Sequence, residues 1–324
     1  MTEMNNTLVD VVIVGGGAAG LNAAQMLGRS RRSALVVDGG EPRNAPTDAV
    51  HGFLSRDGIS PAELYRIGRA EAESYGGRFL NGQVAGVTGS KGRFSVALED
   101  GSMVRGRRLL IATGLVDELP DIPGLRERWG KDVLHCPYCH GWEVRDQAIG
   151  ILATGPLAAH QALLFRQWSA NVTLFLNDAL QPTDVELHQL AAHGITVVDG
   201  RVDSLRVERD RLTGVALIGG SVVAVDAVVT APRFVARTAA FADLGLKAVQ
   251  HPAGMGEYLD TDADGATDVP GVWAAGNVTD LRAQVLSSAA AGAWAGGGIN
   301  SDLMAEELAE AVAAWTGRTA AVTG

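Results

Sequence analysis

The sequence predicts an α/β chain carrying two strand–turn–helix units of the nucleotide-binding kind, and three stretches support that expectation. The first is an apolar run at residues 11–14, followed by Gly15-x-Gly17-x-x-Gly20 and then apolar residues at helical spacing through Leu27. The second is a pair of short apolar strands ending in small turns, Leu109-Leu110-Ile111-Ala112-Thr113-Gly114 and Gly271-Val272-Trp273-Ala274-Ala275-Gly276-Asn277. The third is another apolar strand, Ile149–Leu152, which again runs into a turn and a helical pattern.

In the first stretch each glycine has a separate reason. Gly15 permits the turn, Gly17 lets the backbone approach a pyrophosphate, and Gly20 lets helix and strand pack closely, with the helix N-terminus facing the phosphates. A following strand at residues 34–37 ends in Asp38, where a carboxylate can accept hydrogen bonds from ribose hydroxyls. After Gly276-Asn277, the segment Arg282-Ala283-Gln284 opens an Ala-rich helix with few large side chains. Such a helix can lie close to a planar ring, and its N-terminal N–H groups favour negative charge there. The alternative is simply tight packing of a strand against a helix.

Bulk composition sets the bounds. A chain of 324 residues with 47% hydrophobic and 20% charged content can bury two cores. A net charge of −10 argues against nucleic acid or an anionic membrane as partner, because both select clustered Lys and Arg. Short basic clusters at residues 105–108 and 126–131 are expected to be solvated loop positions. The first ten residues lack the basic region of a secretory signal, and there is no run of about eighteen apolar residues, so a cytoplasmic location away from membranes is expected.

The sequence has two cysteines, in Cys136-Pro137-Tyr138-Cys139. A pair this close cannot staple distant loops, so its use is local: CxxC closes a small disulfide ring whose thiolates are readily stabilised. His140 follows directly and creates CxxCH, which is also a c-type haem attachment motif. Haem attachment would go with export and a small helical domain, neither of which this sequence suggests. An imidazole at this position can take a thiol proton near neutrality.

Over nearly its full length the sequence resembles the low-molecular-weight thioredoxin reductase family. The resemblance rests on VVIVGGGAAGLNAA from residue 11, LLIATG from 109, CPYCHG from 136, and GVWAAGN with RAQ from 271. It implies two Rossmann-like three-layer nucleotide-binding domains, the second inserted in the first. Residues 1–115 and 247–324 would form a discontinuous FAD domain, and 116–246 a smaller domain carrying the CxxC. It also implies a homodimer, with FAD held through Gly15, Gly17, Gly20, Asp38, Thr113, Gly114, Gly276, Asn277, Ala283 and Gln284. Within the family Cys139 would be the flavin-proximal cysteine and Cys136 the one exchanging with an outside thiol. Asn277 and His140 both stand where acidic residues are more usual, and an amide at 277 can still bond ribityl hydroxyls.

The inserted domain departs further. Its turn reads Ala153-Thr154-Gly155-Pro156-Leu157-Ala158 in place of Gly-x-Gly-x-x-Ala, and its next strand ends in Leu176-Asn177-Asp178 where NADPH-dependent relatives carry a histidine and two arginines. Asp178 would repel a 2′-phosphate, although a strand-end carboxylate also suits a free ribose hydroxyl. The altered turn argues against both NADPH and NADH. With CPYCHG, these departures are similar to the thioredoxin reductase-like dithiol oxidases that close disulfides in gliotoxin-, holomycin- and romidepsin-type compounds. That resemblance implies a small-molecule dithiol and O2 as partners. An NAD(P)H-dependent disulfide reductase and a non-enzymatic flavin-bound redox sensor remain the alternatives. His51, Phe53 and Trp142 are candidates for lining the substrate pocket.

Overall fold

The structure, a computed structural model, describes residues 8–323, with the side chains of 317 and 319–323 left aside; the leader expectation for the first ten residues falls largely outside this range. The chain divides into two units. One comprises residues 1–43, 62–116 and 234–324, and the other residues 44–61 and 117–233.

The first unit is built on a seven-stranded sheet. Strand Leu8–Val14 lies at its centre, parallel to Ala34–Asp38 on one side and to Met103–Ile111 on the other. Strand Val272–Ala274 pairs in parallel with Met103–Ile111. Because side chains alternate along a strand, this sheet feeds two cores. Val11 and Ile13 face helix Ala18–Arg29 and the C-terminal helix through Ala23, Leu27, Ile299 and Leu303. Val12 and Val14 face the opposite layer with Val87, Phe94, Phe241 and Leu246. Membership of Phe241 and Leu246 in that core explains why the chain returns to this unit at Phe234, ahead of the boundary at 247 expected from the sequence.

Helix Val285–Thr323 runs as one element from the Ala-rich stretch onward. Its small residues serve helix packing. A Cβ on Gly292 would collide with the backbone of Ala19, and Asn22 donates to the Ala289 carbonyl at 2.7 Å.

The second unit has its own parallel sheet in the order Thr196–Val198, Val172–Phe175, Ile149–Leu152, Ala227–Thr230, Val133–Leu134. Helices Ala158–Phe165 and Asp184–Ala192 cover one face through Ala159, Ala162, Phe165 and Leu190. The antiparallel strands Val202–Glu208 and Arg211–Leu217 cover the other through Val202, Leu205, Leu212 and Val215. Each unit is thus a three-layer, Rossmann-like structure with a parallel sheet in the middle, as the family resemblance implies.

In the basic clusters Arg105, Arg126 and Lys131 are exposed as expected, but one arginine of each is not. Arg108 lies in strand Met103–Ile111 and is fully buried, donating to Asp302 at 2.5 Å and Glu306 at 2.7 Å. Arg128 is also buried, bonded to both Asp132 and Asp210. Carboxylates make such burial tolerable: for Arg108 both lie far away in sequence, while Arg128 has Asp132 four residues on and Asp210 from a distant segment. Among the described residues no helix is long and apolar enough to cross a membrane.

Candidate functional site

The fingerprint residues of the first unit gather where its parallel strands end. Val14, Val37, Ile111 and Ala274 lie side by side in register, so Gly15, Asp38, Ala112-Thr113-Gly114 and Ala275-Gly276-Asn277 leave the sheet along one edge. Strand order reverses there, since the chain steps from Leu8–Val14 to one neighbour and reaches the other only later. Crevices at such reversals are where doubly wound sheets bind ligands.

The turn itself is steric. Gly15 has φ +112°, and a Cβ there would strike the Ala112 carbonyl, while a Cβ on Gly20 would strike the carbonyl of Gly15. Around Gly17, by contrast, an added Cβ meets nothing. That open space at the start of helix Ala18–Arg29 leaves room for a phosphate, and Asp38 stands at the neighbouring strand end with its Oδ1 accepting from Gly40 N at 3.0 Å. These residues fit the adenosine–pyrophosphate part of FAD.

Thr113 and Gly114 are fastened to Arg237, through Thr113 Oγ1 to the Arg237 carbonyl at 2.8 Å and Arg237 N to the Gly114 carbonyl at 3.1 Å. Asn277 organises the turn before the C-terminal helix. Its Nδ2 donates to the carbonyls of Ala283 at 2.7 Å and Asp280 at 3.1 Å, and its Oδ1 accepts from Arg43 at 3.4 Å. A carboxylate could accept from Arg43 but could not donate to the two carbonyls. The amide is therefore suited to this loop, a role the sequence did not disclose. Gln284 stands at the head of the helix, its carbonyl accepting from Ser288 N at 2.8 Å.

Within the second unit, Cys136 and Cys139 form a disulfide, with Cα atoms 5.3 Å apart. A single helical turn, Pro137–His140, closes the ring. Pro137 opens that turn, where its missing N–H costs nothing and its fixed φ suits the helix. Gly141 ends it against Trp168, leaving no room for a Cβ, and Tyr138 packs edge-on to the same indole at 6.0 Å. Tyr138 and Trp142 remain largely exposed, Trp142 beneath the Arg145 guanidinium at 4.2 Å.

His140 is mostly enclosed. Burial pushes its imidazole below the ordinary histidine value, Glu143 pulls it back up, and a nearby His51 lowers it again. His51 comes from the 44–61 excursion and sits between two carboxylates, with Nδ1 3.4 Å from Asp57 and Nε2 3.3 Å from Glu143. Of the pocket candidates, His51 is thus brought to this cluster, while Phe53 is half-buried in the same excursion. Glu143 and Asp57 were not foreseen. Glu143 lies one turn beyond His140, a spacing that local reading could have flagged, whereas nothing in sequence links the excursion to the CxxC.

The turn after strand Ile149–Leu152 in the second unit leads into a short helix. Helix Ala158–Phe165 starts after Leu157 without a side-chain cap, and Asn177 and Asp178 both adopt left-handed backbone, with φ +52° and +51°. Asn177 is spent internally, donating to the Ala153 carbonyl at 3.2 Å and accepting from Val202 N at 2.9 Å. Beside it lies a cavity of about 390 Å³ lined by Pro120, Asp121, Ile122, Asn177, Asp178 and Arg201.

Comparison with known proteins agrees with this architecture. The sequence matches the family "Pyridine nucleotide-disulphide oxidoreductase" over residues 9–296. Thioredoxin reductase tcpT of Claviceps purpurea is 40% identical over 53% of this chain and 56% of its own, so the chain spans about half the length of that relative. Thioredoxin reductase sirT of Leptosphaeria maculans is 29% identical over 94% of this chain and 97% of its own. Among solved structures, HlmI superposes with a TM-score of 0.88 at 49% identity, covering 95% of this chain and 96% of its own. The oxidoreductase from Agrobacterium tumefaciens gives 0.87 at 36% identity, over 92% and 99%. With two Rossmann-like units, a glycine fingerprint built by sterics and a closed CxxC ring, the match over residues 9–296 places this chain in the pyridine nucleotide-disulphide oxidoreductase family, among its thioredoxin reductase-like flavoproteins.

Proposed function

We propose that the protein is an FAD-dependent dithiol oxidase that closes a disulfide in a small-molecule dithiol, with O2 as final acceptor and H2O2 as by-product. The observation that carries this reading is the Cys136–Cys139 disulfide with His140 enclosed beside it. A substrate thiol gives its proton to His140 and attacks Cys136 Sγ, and Cys139 leaves as thiolate. The second substrate thiol then attacks the mixed disulfide, its proton passing to the leaving Cys136 sulfur, which releases Cys136 as a thiol and the closed product. FAD, when bound through Gly15, Gly17, Gly20, Asp38, Thr113, Gly114, Gly276, Asn277, Ala283 and Gln284, supplies the two-electron acceptor that returns the cysteines to the disulfide and passes electrons to O2. His140 accepts protons because burial keeps it neutral at rest. Tyr138 and Trp142 offer exposed aromatic surface beside the ring for the substrate. The working form is proposed to be a homodimer.

A second reading, an NAD(P)H-dependent disulfide reductase, is favoured by the cavity beside Asn177 and Asp178, which lies where the inserted unit's strand ends. Against it stand the capless helix start and the carboxylates of Asp121 and Asp178 on the cavity wall. An anaerobic spectral titration separates the two. Bleaching of the yellow enzyme by a small dithiol alone, with colour returning in air, supports the oxidase; rapid bleaching by NADPH or NADH overturns it. Cys136→Ser and Cys139→Ser should each abolish the dithiol response.

A further inference from the structure

The crevice at the strand ends of the first unit has a charge balance to meet. Of the residues assigned above to FAD only Asp38 is charged, and it is negative. It stands against the phosphate turn, since a Cβ added to Gly16 would fall 2.4 Å from Asp38 Oδ2. The pyrophosphate of FAD is itself an anion, and the start of helix Ala18–Arg29 offers it the equivalent of only roughly half a positive charge.

Arg43 brings a cation to this end of the sheet. It lies shortly after strand Ala34–Asp38, yet its Nη1 donates to Asn277 Oδ1 at 3.4 Å, in the turn after strand Val272–Ala274. Strands Leu8–Val14 and Met103–Ile111 lie between those two, so the contact spans the ends of both. The turn that carries Asn277 also abuts the phosphate side: a Cβ on Gly276 would lie 2.9 Å from that of Ala19, in the first turn of helix Ala18–Arg29. The half-buried guanidinium is steadied from a second direction, its carbon 5.0 Å from the ring centroid of Phe234, which packs with Leu115 and Leu281. A planar group with five donors can bond Asn277 and a phosphate oxygen together.

The amide matters as much as the arginine. Asn277 is neutral, and its Nδ2 is committed to the carbonyls of Ala283 and Asp280. A carboxylate in its place would set a full negative charge against Arg43 and against any phosphate beside it. We propose that Arg43 is a further cofactor-binding residue, a guanidinium that Asn277 and Phe234 aim at the FAD pyrophosphate, and that the amide at 277 holds it without cancelling its charge. This rests on the FAD reading above and needs no thiol chemistry.

Displacement of flavin from the FAD-loaded protein by ADP and by adenosine, read as the rise in flavin fluorescence on release, isolates the phosphate contribution. In the parent protein ADP should half-release the flavin at a concentration on the order of tenfold or more below that of adenosine, the size of a charge-assisted bond to phosphate. In Arg43→Gln and Asn277→Asp that advantage should shrink to within about threefold, while Arg43→Lys, which keeps the charge, should retain most of it. Added KCl should erode the advantage in the parent and change little in Arg43→Gln. If Arg43→Gln purifies without flavin, calorimetric titration with the two ligands reads the same ratio. An ADP advantage equal in the parent and Arg43→Gln overturns the proposal, and so does a variant in which ADP and adenosine weaken alike, the mark of lost structure. Failure of the unmodified protein to hold FAD at all would sink the cofactor reading itself, whereas retained FAD with no advantage for ADP would remove only the role of Arg43.

Discussion

Arg108 Nε donates to Asp302 Oδ2 at 2.5 Å from a side chain with no solvent exposure, and this contact joins the central sheet to the C-terminal helix. Its other arm bonds Glu306 at 2.7 Å, while Arg107 bonds Glu306 and Glu307 on the same helix. Removing one partner of a buried ion pair typically costs about 3 kcal/mol, because the remaining charge loses its match. Arg108→Ala should therefore lower stability by about 3 kcal/mol, read as an earlier urea midpoint with the slope unchanged. A midpoint equal to the parent protein's would mean that the network contributes no net stability.

The same network predicts acid lability. Hydrogen bonds from Arg32 and then Arg107 hold the Glu307 carboxyl down to about 2, and those from Arg107 and Arg108 lower Glu306. For Asp302 burial pushes upward, but Lys91 and Arg108 outweigh it, so its value is also lowered. A carboxyl with a depressed folded value stabilises fully above its unfolded value, near 4.3 for glutamate, and loses that contribution as pH falls through the folded value. Melting temperature should thus be flat down to about pH 5 and fall between there and about pH 2. In Glu307→Gln the fall should be shallower. Equal slopes in the two proteins would remove Glu307 from the account.

At the fingerprint, Gly17 and Gly20 separate folding from cofactor binding. A Cβ at Gly20 collides with the Gly15 carbonyl, so Gly20→Ala should damage the turn itself. The space around Gly17 is open, and Gly17→Ala should fold with a near-normal circular dichroism spectrum yet purify with little or no flavin, read from the ratio of visible to 280 nm absorbance. Full flavin content in Gly17→Ala would mean that the pyrophosphate does not approach there.

Features governed by local rules were legible in the sequence. The glycine turn, the strands flanking it and the CxxC ring each follow from a few adjacent residues, and each stands where the sequence puts it. What escaped depends on contacts distant along the chain. Arg108 read as solvated because its carboxylate partners Asp302 and Glu306 lie far away in sequence, and of the two partners of Arg128 only Asp132 is local, Asp210 being distant. His51 reached the CxxC neighbourhood only because its segment packs with the inserted unit, a tertiary choice no periodicity encodes. The small residues of the last helix show the ambiguity in another form. Ala and Gly suit both a flat ligand and a close helix partner, and the contacts of Gly292 with Ala19 show that part of the stretch serves the partner.

Asn277 offers a test of why an amide replaces an acid. Asn277→Asp keeps the acceptor facing Arg43 but loses both donations, to Ala283 and Asp280. Each net hydrogen bond is worth about 1 kcal/mol, and a better pairing with Arg43 offsets part of the loss. The expected outcome is a destabilisation of about 1 kcal/mol in urea. An increase in stability would show that the Arg43 pairing outweighs the two carbonyl bonds.

The outer face of the C-terminal helix bears on the proposed homodimer. Met304, Leu308 and Val312 recur at a spacing of four and are each more than half exposed, at 58%, 63% and 52%. Residues so spaced share one helix face, and an isologous contact would bury the same stripe from both copies. Light scattering of the flavin-loaded protein should therefore give twice the mass of one chain, and Leu308→Glu should return it to a monomer, because two facing carboxylates would be desolvated against an apolar stripe. That variant should keep its circular dichroism spectrum, since the substituted side chain is outside both cores of the unit. A dimer that persists with Glu at position 308 would move the contact elsewhere on the surface, and a monomeric parent protein would remove the dimer from the proposed function.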